Sequence, residues 1–216
     1  MNGRRVGLIV GVLSIVFLFA VMARWTGDVL FGPIGVVVAA ITAWSVVGPG
    51  TAGLLRLGLG RPRSWAMTLI SAVITAVVGQ LAVSLCTPVV VGLWGAPNFS
   101  ALGAIKGHPW MLAKFLVIIW TSAAFGEEIV FRGFLIPQIA QACGDTRLAK
   151  LVAIVVAAIL FGAAHAYQGP SGAVLTGVIA LVYGTAFVAG RGNLWRTILA
   201  HGLYDSTAFI LLYFAK

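Results

Sequence analysis

Residues 65–91 read WAMTLISAVITAVVGQLAVSLCTPVVV and contain no charged side chain. A membrane-spanning helix needs about 20 consecutive, mostly apolar residues, so this stretch is long enough to cross a bilayer. The whole chain is similarly apolar, because 61% of its 216 residues are hydrophobic and only 9% are charged. A soluble domain carries about 25% charged residues. The sequence therefore predicts an integral membrane protein.

Further apolar stretches lie on both sides of this one, separated by short segments rich in Gly, Pro and basic residues. We predict an all-α, polytopic bundle of about seven transmembrane helices, within a range of six to eight. The predicted spans cover, approximately, residues 6–23, 29–47, 65–91, 110–142, 148–166, 172–189 and 194–214. Pro88 is expected to bend or end the third span.

The net charge of +9 does not indicate a nucleic-acid-binding protein. The basic residues lie in short clusters between apolar runs, as loop charges that orient a membrane protein do. With a cytoplasmic N-terminus and seven spans, nine basic residues face inward, namely Arg4, Arg5, Arg56, Arg61, Arg63, Arg147, Lys150, Arg191 and Arg196. Four face outward, namely Arg24, Lys106, Lys114 and Lys216. This asymmetry favours a multi-pass protein of the cell (plasma or inner) membrane with its N-terminus inside.

The two cysteines, Cys86 and Cys143, lie in or beside apolar stretches. They show neither a Cys-x-x-Cys spacing nor a paired framework, so we expect no disulfide and no metal site from them. The sequence predicts two buried thiols that pack as small hydrophobic side chains.

Ionisable residues are rare inside the predicted spans, where we find only Glu127, Glu128, Arg132, His165, His201 and Asp205, apart from basic residues close to span ends. A charge at the bilayer centre costs about 2.5–3.5 kcal/mol on insertion scales, so such residues usually face the bundle interior and serve a function. On a helix, Glu128 and Arg132 are about 40° apart and form a favourable i,i+4 ion pair. Glu127 lies about 140° from Arg132 and stays unpaired, as a general base should.

Two histidine pairs complete the candidate site. Phe161 lies one turn before His165 on the same helix face, and His201 and Asp205 are likewise i and i+4. Glu127 and His165 lie about 26 and about 32 Å from the turn at Gly144, so a helical hairpin brings them to similar depth. His201 follows its own turn at Gly192 by only nine residues and fits that level less well.

Three motifs, in the fourth, fifth and seventh predicted spans, resemble those of the CPBP family, also called the Abi family, which includes the type II CAAX prenyl endopeptidases. They are Glu127-Glu128-Ile129-Val130-Phe131-Arg132, then Phe161 to His165, then His201 to Asp205. Phe131-Arg132-Gly133-Phe134-Leu135 is also typical of the family's first motif. We therefore treat 1–216 as one membrane domain, with N-terminal spans of unassigned role in 1–109 and a CPBP-like catalytic core in 110–214.

The resemblance implies an intramembrane, glutamate-dependent endopeptidase that hydrolyses a peptide bond of a membrane-associated or lipidated substrate. Glu127 would take a proton from the attacking water, His165 would hold that water, and His201 and Asp205 would stabilise the oxyanion. Glu128, Arg132 and Phe161 would support this set. Asp205 stands where the family often has Asn, and an ionised Asp cannot donate a hydrogen bond. It is therefore either protonated, or it orients His201 instead.

The resemblance leaves the metal open, because the family has been described both as metalloproteases and as glutamic proteases, and we favour a metal-free site without a cofactor. Glu127, His165 and His201 also make a conceivable zinc set with an open position, although no HExxH motif is present. The expected partners are a membrane-anchored or lipidated protein or peptide substrate and the lipid bilayer, without nucleic acid.

Two other functions stay open at this point. A proton-coupled transporter could use Glu127, His165 and His201 as a relay, although the chain shows no repeat halves. A non-catalytic bacteriocin-immunity membrane protein would need none of these residues for chemistry.

Overall fold

The computed structural model describes residues 3–26, 30–48 and 50–215, which contain helices and no β-strand. The α-helices are α1 (Gly3–Thr26), α2 (Phe31–Val47), α3 (Gly50–Arg56), α4 (Trp65–Trp94), α5 (Pro109–Ile118), α6 (Ile136–Ala142), α7 (Arg147–Ala164), α8 (Gly169–Ala189) and α9 (Leu194–Phe214). Two π-helical segments, Ile119–Glu127 and Ile129–Leu135, join α5 to α6. Short 3₁₀ segments cover Ser100–Ile105 and Ala166–Gln168. The predicted all-α, polytopic bundle is confirmed.

Five helices of the described ranges are long and apolar enough to cross a membrane: Arg5–Ala23, Trp65–Trp94, Pro109–Ala142, Arg147–Ala164 and Ala166–Ala189. The pair α2 and α3 adds a sixth if the two helices, which meet at an angle of 105°, form one span. The predicted number of about seven transmembrane helices is reached only if α9 is also counted as a span. That helix has 21 residues, but its polar side chains, His201 and Asp205 among them, lower its hydropathy.

Two sequence-based expectations need correction. Helix α4 does not end at Pro88 but continues to Trp94, because membrane helices tolerate an interior proline when neighbouring groups satisfy the freed carbonyl; a bend at Pro88 stays a prediction. Cys143 is exposed rather than buried, because it lies in the turn that follows α6. Cys86 is half-buried on α4.

Small residues let α7 and α8 pack closely as an antiparallel hairpin. A Cβ on Gly162 would lie 2.4 Å from the carbonyl oxygen of Ala173, and one on Gly184 would lie 3.1 Å from Ile154. Close backbone approach at small residues is the usual way in which membrane helices associate. This register places the start of α7 level with the end of α8.

The connections of the bundle therefore gather at two ends. The turn 143–146, the loop 57–64, the turn 190–193 and the start of α1 form what we call the basic end. The Arg5 guanidinium donates to Gln141 there, and the backbone amide of Leu194 donates to the carbonyl of Gly58 at 3.0 Å. The segment 95–108, the turn 165–169 and the end of α9 form the far end. It is joined by backbone hydrogen bonds from Asn98 to Gln168 and from Gly107 to Tyr213.

Candidate active site

Glu128 is the most enclosed acid among the described residues, with 0% of its side chain exposed. Its Oε1 accepts a hydrogen bond from Arg132 Nη1 at 2.8 Å and lies 2.9 Å from His201 Nδ1. Arg132 is itself buried, and its guanidinium lies 4.6 Å from the ring centroid of Phe161. The ion pair predicted between Glu128 and Arg132 is thus present, and it joins the first motif to the other two.

Glu127 differs from its neighbour, although the two are adjacent in sequence. Its Oε2, like that of Glu128, is buried and has no hydrogen-bond partner in the described chain, but no ion pair of Glu127 corresponds to the pairs that Glu128 makes with Arg132 and His201. Its carboxylate lies within electrostatic range of His165, His201, Asp205 and Arg132. An unsatisfied buried carboxylate oxygen is costly, and native proteins usually keep one only where water, an ion or a substrate completes it.

His165 ends α7 and is held by the helix that precedes it. Its Nδ1 lies 2.8 Å from the Phe161 carbonyl oxygen, which can only accept, so the ring donates through Nδ1. The neutral ring then presents Nε2 as an acceptor. The imidazole also lies against the Phe161 ring, with 4.6 Å between centroids, so Phe161 fixes both its tautomer and its orientation.

His201 lies between two carboxylates. Glu128 contacts its Nδ1, and Asp205 Oδ2 lies 3.4 Å from its Nε2, somewhat beyond normal hydrogen-bond length. His201 is buried, whereas Asp205 is half-buried. The two acids together fix the plane of the imidazole ring.

Helix α9 is held against the glutamate-bearing helix by an aromatic side chain. A Cβ on Gly202 would lie 2.5 Å from the Trp120 ring, so only glycine fits there. The Trp120 indole also donates to Ser206 Oγ at 3.2 Å. The Trp120 ring fills the space that a side chain at position 202 would need, which explains why a glycine follows His201.

In the sequence analysis, the expected depth of His201 did not match that of Glu127 and His165. The position at which α9 begins explains where His201 lies. A Cβ on Gly133 would lie 3.2 Å from the Leu194 side chain, so α9 starts level with Gly133 rather than with the turn at Gly144. Glu128 precedes Gly133 by five residues, and His201 follows Leu194 by seven. The antiparallel course of the two helices therefore brings His201 to Glu128.

Two site residues were missed by the sequence argument. Tyr183 of α8 is 1% exposed, and its ring lies 5.6 Å from the Arg132 guanidinium and 5.8 Å from the His201 ring. Its hydroxyl has no partner in the described chain. Thr197 is fully buried, and its hydroxyl donates to the Leu194 carbonyl oxygen at 3.1 Å. Its place one turn before His201 was a usable signal, whereas nothing in the sequence of α8 marks Tyr183.

The zinc set considered from sequence is not assembled. Within the described ranges, no group of three or more His, Cys, Asp or Glu side chains is arranged to hold a metal ion. Both ring nitrogens of His201 face carboxylates, so the third ligand is already engaged. The residues present therefore do not fit a zinc site formed by Glu127, His165 and His201.

Comparison with known proteins gives one family match. The family model described as Type II CAAX prenyl endopeptidase Rce1-like matches residues 109–207. The match begins at the first residue of α5, ends within α9 and contains all three motifs. No curated protein and no solved structure matches the chain.

Proposed function

The chain belongs, through residues 109–207, to the type II CAAX prenyl endopeptidase Rce1-like family, and we propose that Glu127 activates water in it for peptide-bond hydrolysis. The family makes it a membrane protein of the CAAX-type intramembrane protease class. One observation carries the proposal for Glu127. Both adjacent glutamates have a buried Oε2 without a partner, but Glu128 has its charge balanced at Oε1 by Arg132 and His201, whereas Glu127 forms no ion pair within the described residues.

The difference in charge pairing between Glu127 and Glu128 suits general base catalysis by Glu127. A carboxylate that an arginine binds directly is a poor proton acceptor, because the cation stabilises its charged form. Glu127 has no such direct partner, and a water held at its free oxygen would be in position to lose a proton. General base catalysis of this kind typically contributes about 10²–10⁴-fold to a rate.

His165 supplies the second contact for that water. With Nδ1 donating to the Phe161 carbonyl, Nε2 accepts a hydrogen bond from one O–H of the water, while Glu127 removes the proton of the other O–H. The resulting hydroxide adds to the scissile carbonyl carbon. Glu127 then passes its proton to the leaving nitrogen as the C–N bond breaks, which yields a carboxylate and an amine.

In this scheme His201 carries a proton on both ring nitrogens, so that Nδ1 donates to Glu128 and Nε2 donates to the oxyanion, and Asp205 positions the ring. The contact between Nε2 and Asp205 Oδ2 is 3.4 Å long, so a substrate carbonyl oxygen can take the place of Asp205 at Nε2. Glu128 holds the opposite nitrogen and keeps the ring in place. A single such donor is worth about 2.7–4 kcal/mol in acyl-transfer enzymes.

We propose a membrane-anchored or lipidated protein or peptide as the substrate and the cell membrane as the location. Many large apolar side chains are exposed on the described surface, among them Leu85, Val89, Leu151 and Ile159, and a lipid bilayer would cover them. A substrate that is anchored in the same bilayer reaches the site by lateral diffusion.

The test compares purified wild type with Glu127→Gln in detergent, on a library of membrane-anchored and lipidated peptides. Cleavage is measured by mass spectrometry with and without chelator. We expect the wild type to cut some peptides and the variant to be slower by at least about 10²-fold. The matched control is Asp145→Asn, an exposed acid paired with Lys150 at 3.4 Å, which should retain full activity.

Each remaining outcome has a definite meaning. Equal cleavage by wild type and Glu127→Gln would exclude Glu127 as the base. Loss of wild-type activity with chelator would contradict the metal-free scheme. If no peptide of the library is cleaved, the result would favour the two alternative functions, a proton-coupled transporter or a bacteriocin-immunity protein.

A further inference from the structure

Helix α4 carries an exposed polar side chain at the centre of its span. Trp65 and Trp94, which are 47% and 52% exposed, stand at its two ends, and tryptophan is enriched at both interfaces of a bilayer. At 1.5 Å per residue, Gln80 lies about 22 Å from each of them. The hydrocarbon core of a bilayer is about 30 Å thick, so the exposed Gln80 lies near the midplane.

The hydrogen-bonding groups of Gln80 are only partly satisfied. Its amide nitrogen donates to Ser84 Oγ at 2.9 Å, and this is its one side-chain hydrogen bond within the described ranges. The second N–H and the carbonyl oxygen of the amide remain. Thr185, exposed on α8, donates instead to the Leu181 carbonyl of its own helix at 2.8 Å. Because lipid tails offer no hydrogen bonds, the unmatched amide of Gln80 indicates a polar partner.

A backbone acceptor lies close to this amide. Pro88 has no amide N–H, so the carbonyl of Ser84 lacks its usual helical donor. Ser84 is itself exposed, and its hydroxyl accepts from Gln80. Donors and acceptors therefore gather within about two turns of a helix surface that is otherwise apolar.

The polar pair belongs to one stripe of exposed residues along the helix. We call it the α4 stripe and define it as Ile70, Val73, Val77, Gln80 and Ser84. Alternating steps of three and four residues keep such a stripe facing a neighbouring helix in a left-handed pair, which is the commonest packing in membrane bundles. A different face of α4 packs inside the bundle, since Ala72 is 0% exposed and a Cβ on Gly79 would lie 3.2 Å from the Tyr183 ring. The α4 stripe is thus free for a partner outside the bundle.

From these observations we infer that the α4 stripe is the interface through which two copies of this chain associate in the membrane. Copies inserted in the same direction are related by a two-fold axis along the membrane normal, so each residue meets its own counterpart at the same depth. A side chain can bond its counterpart only if it both donates and accepts. The glutamine amide does both, so Gln80 of one copy can donate to Gln80 of the other and accept from it. This self-complementarity favours a second copy over another protein, and it does not depend on the proposed endopeptidase function.

Cysteine cross-linking tests the interface directly. In a Cys86→Ser/Cys143→Ser background, Val77→Cys places a sole thiol on the α4 stripe, and Val155→Cys places one on an exposed surface of α7. The two valines are matched, because they are 52% and 48% exposed. Each full-length variant is reconstituted in liposomes and oxidised, and disulfide-linked dimer is measured on non-reducing gels. We expect dimer from Val77→Cys and only background from Val155→Cys; equal yields, or dimer from Val155→Cys alone, would overturn the inference.

A second measurement isolates the contribution of Gln80. Copies labelled at Cys143, which lies outside the α4 stripe, are mixed as FRET donors and acceptors in a Cys86→Ser background, and the liposomes are diluted with lipid. FRET should fall on dilution, and Gln80→Leu should raise the apparent dissociation constant at least about fivefold, as expected for the loss of two interhelical hydrogen bonds. The control is Thr185→Val, which should leave the constant unchanged, because the lost hydroxyl donates within its own helix.

Two results of the dilution experiment would overturn the inference. One is the absence of wild-type FRET at the highest protein-to-lipid ratio, which would leave the α4 stripe to a transmembrane helix of another protein. The other is an unchanged dissociation constant for Gln80→Leu. Thermal unfolding of this variant should match wild type, because the side chain is exposed, and it separates a loss of association from a loss of fold. The cross-linking variants retain Gln80, so their result stands whatever the stability of Gln80→Leu.

Discussion

Arg132→Met removes the arginine that pairs with Glu128, and it puts an unbranched apolar side chain in its place. The Glu128 carboxylate, 0% exposed, would then be left with His201. A buried charge that loses its partner cannot recover the solvation it gave up on folding. We therefore expect this substitution to be strongly destabilising rather than a mild change in packing.

The magnitude can be worked from the contacts. Removing one partner of a buried ion pair costs about 3–5 kcal/mol. His201 Nδ1 still contacts the same oxygen at 2.9 Å, which places this case near the lower limit, at about 3 kcal/mol. Loss of the guanidinium from the Phe161 ring, 4.6 Å away, adds about 1 kcal/mol. The expected cost is about 4 kcal/mol in the free energy of unfolding.

A double-mutant cycle separates the charge from the packing. The free energy of unfolding in mixed micelles is measured for wild type, Arg132→Met, Glu128→Gln and the double variant. Because Glu128→Gln removes the stranded charge, the double variant should be more stable than the sum of the single effects by at least about 1.5 kcal/mol.

The exposed pair of Lys150 and Asp145 is the matched control. Its side chains are 43% and 60% exposed, so Lys150→Met should change stability by less than about 0.5 kcal/mol. The reasoning is refuted if Arg132→Met costs less than about 1 kcal/mol, or if the cycle is additive, because Glu128 would then not need its arginine.

Three further predictions concern neighbouring residues. Gly202→Ala should cost about 1–3 kcal/mol and lower activity, because its Cβ would lie 2.5 Å from the Trp120 ring; thermal unfolding and peptide cleavage measure both effects. Tyr183→Phe should leave the free energy of unfolding unchanged or raise it, since the lost hydroxyl is buried without a partner. Asp205→Asn should keep cleavage within about tenfold of wild type, because the amide oxygen can still accept from His201.

Each of these predictions has its own control and contrary outcome. Gly92→Ala on α4, where a Cβ would meet nothing within 4 Å, should be neutral or stabilising; an equal loss at both glycines would exclude the Trp120 contact as the cause. For Tyr183, a marked loss of stability in the Phe variant would show that the hydroxyl is engaged. A null activity for Asp205→Asn, at unchanged stability, would mean that the carboxylate charge itself is required.

The span positions were predictable because apolar length and turn residues are local signals. The last predicted span, 194–214, has the same bounds as α9 (Leu194–Phe214). The fourth span was found in full, as the helical stretch Pro109–Ala142. The two π-helical segments of this span were not predicted, because the sequence analysis assumed a repeat of 3.6 residues throughout. Hydrogen bonding from i to i+5 leaves no mark in a hydrophobic pattern.

Contacts between distant parts of the chain were predictable only where a motif supplied the partner. The Glu128–Arg132 pair followed from i,i+4 spacing, but the contact of His201 with Glu128 did not. The contact between His201 and Glu128 depends on the level in the bundle at which α9 begins, which is that of Gly133. The sequence gives the number of residues in the turn before α9, but not the level at which the turn lies. Tyr183 was missed for a related reason, since its role arises from the packing of α8 on other helices.

The apolar layer formed by Leu57, Phe134, Leu194 and Ile198, none of them more than 2% exposed, also bears on how the host membrane holds its proton gradient. A water-filled cleft that reached both faces would let protons cross, and a cell would lose stored energy through every copy of the protein. A dry constriction of aliphatic and aromatic side chains excludes water and so breaks any proton wire. In the proposed endopeptidase, hydrolysis inside the bilayer would then not require a water-filled path past this layer. The membrane would stay impermeable to protons during turnover without a gate that opens and closes.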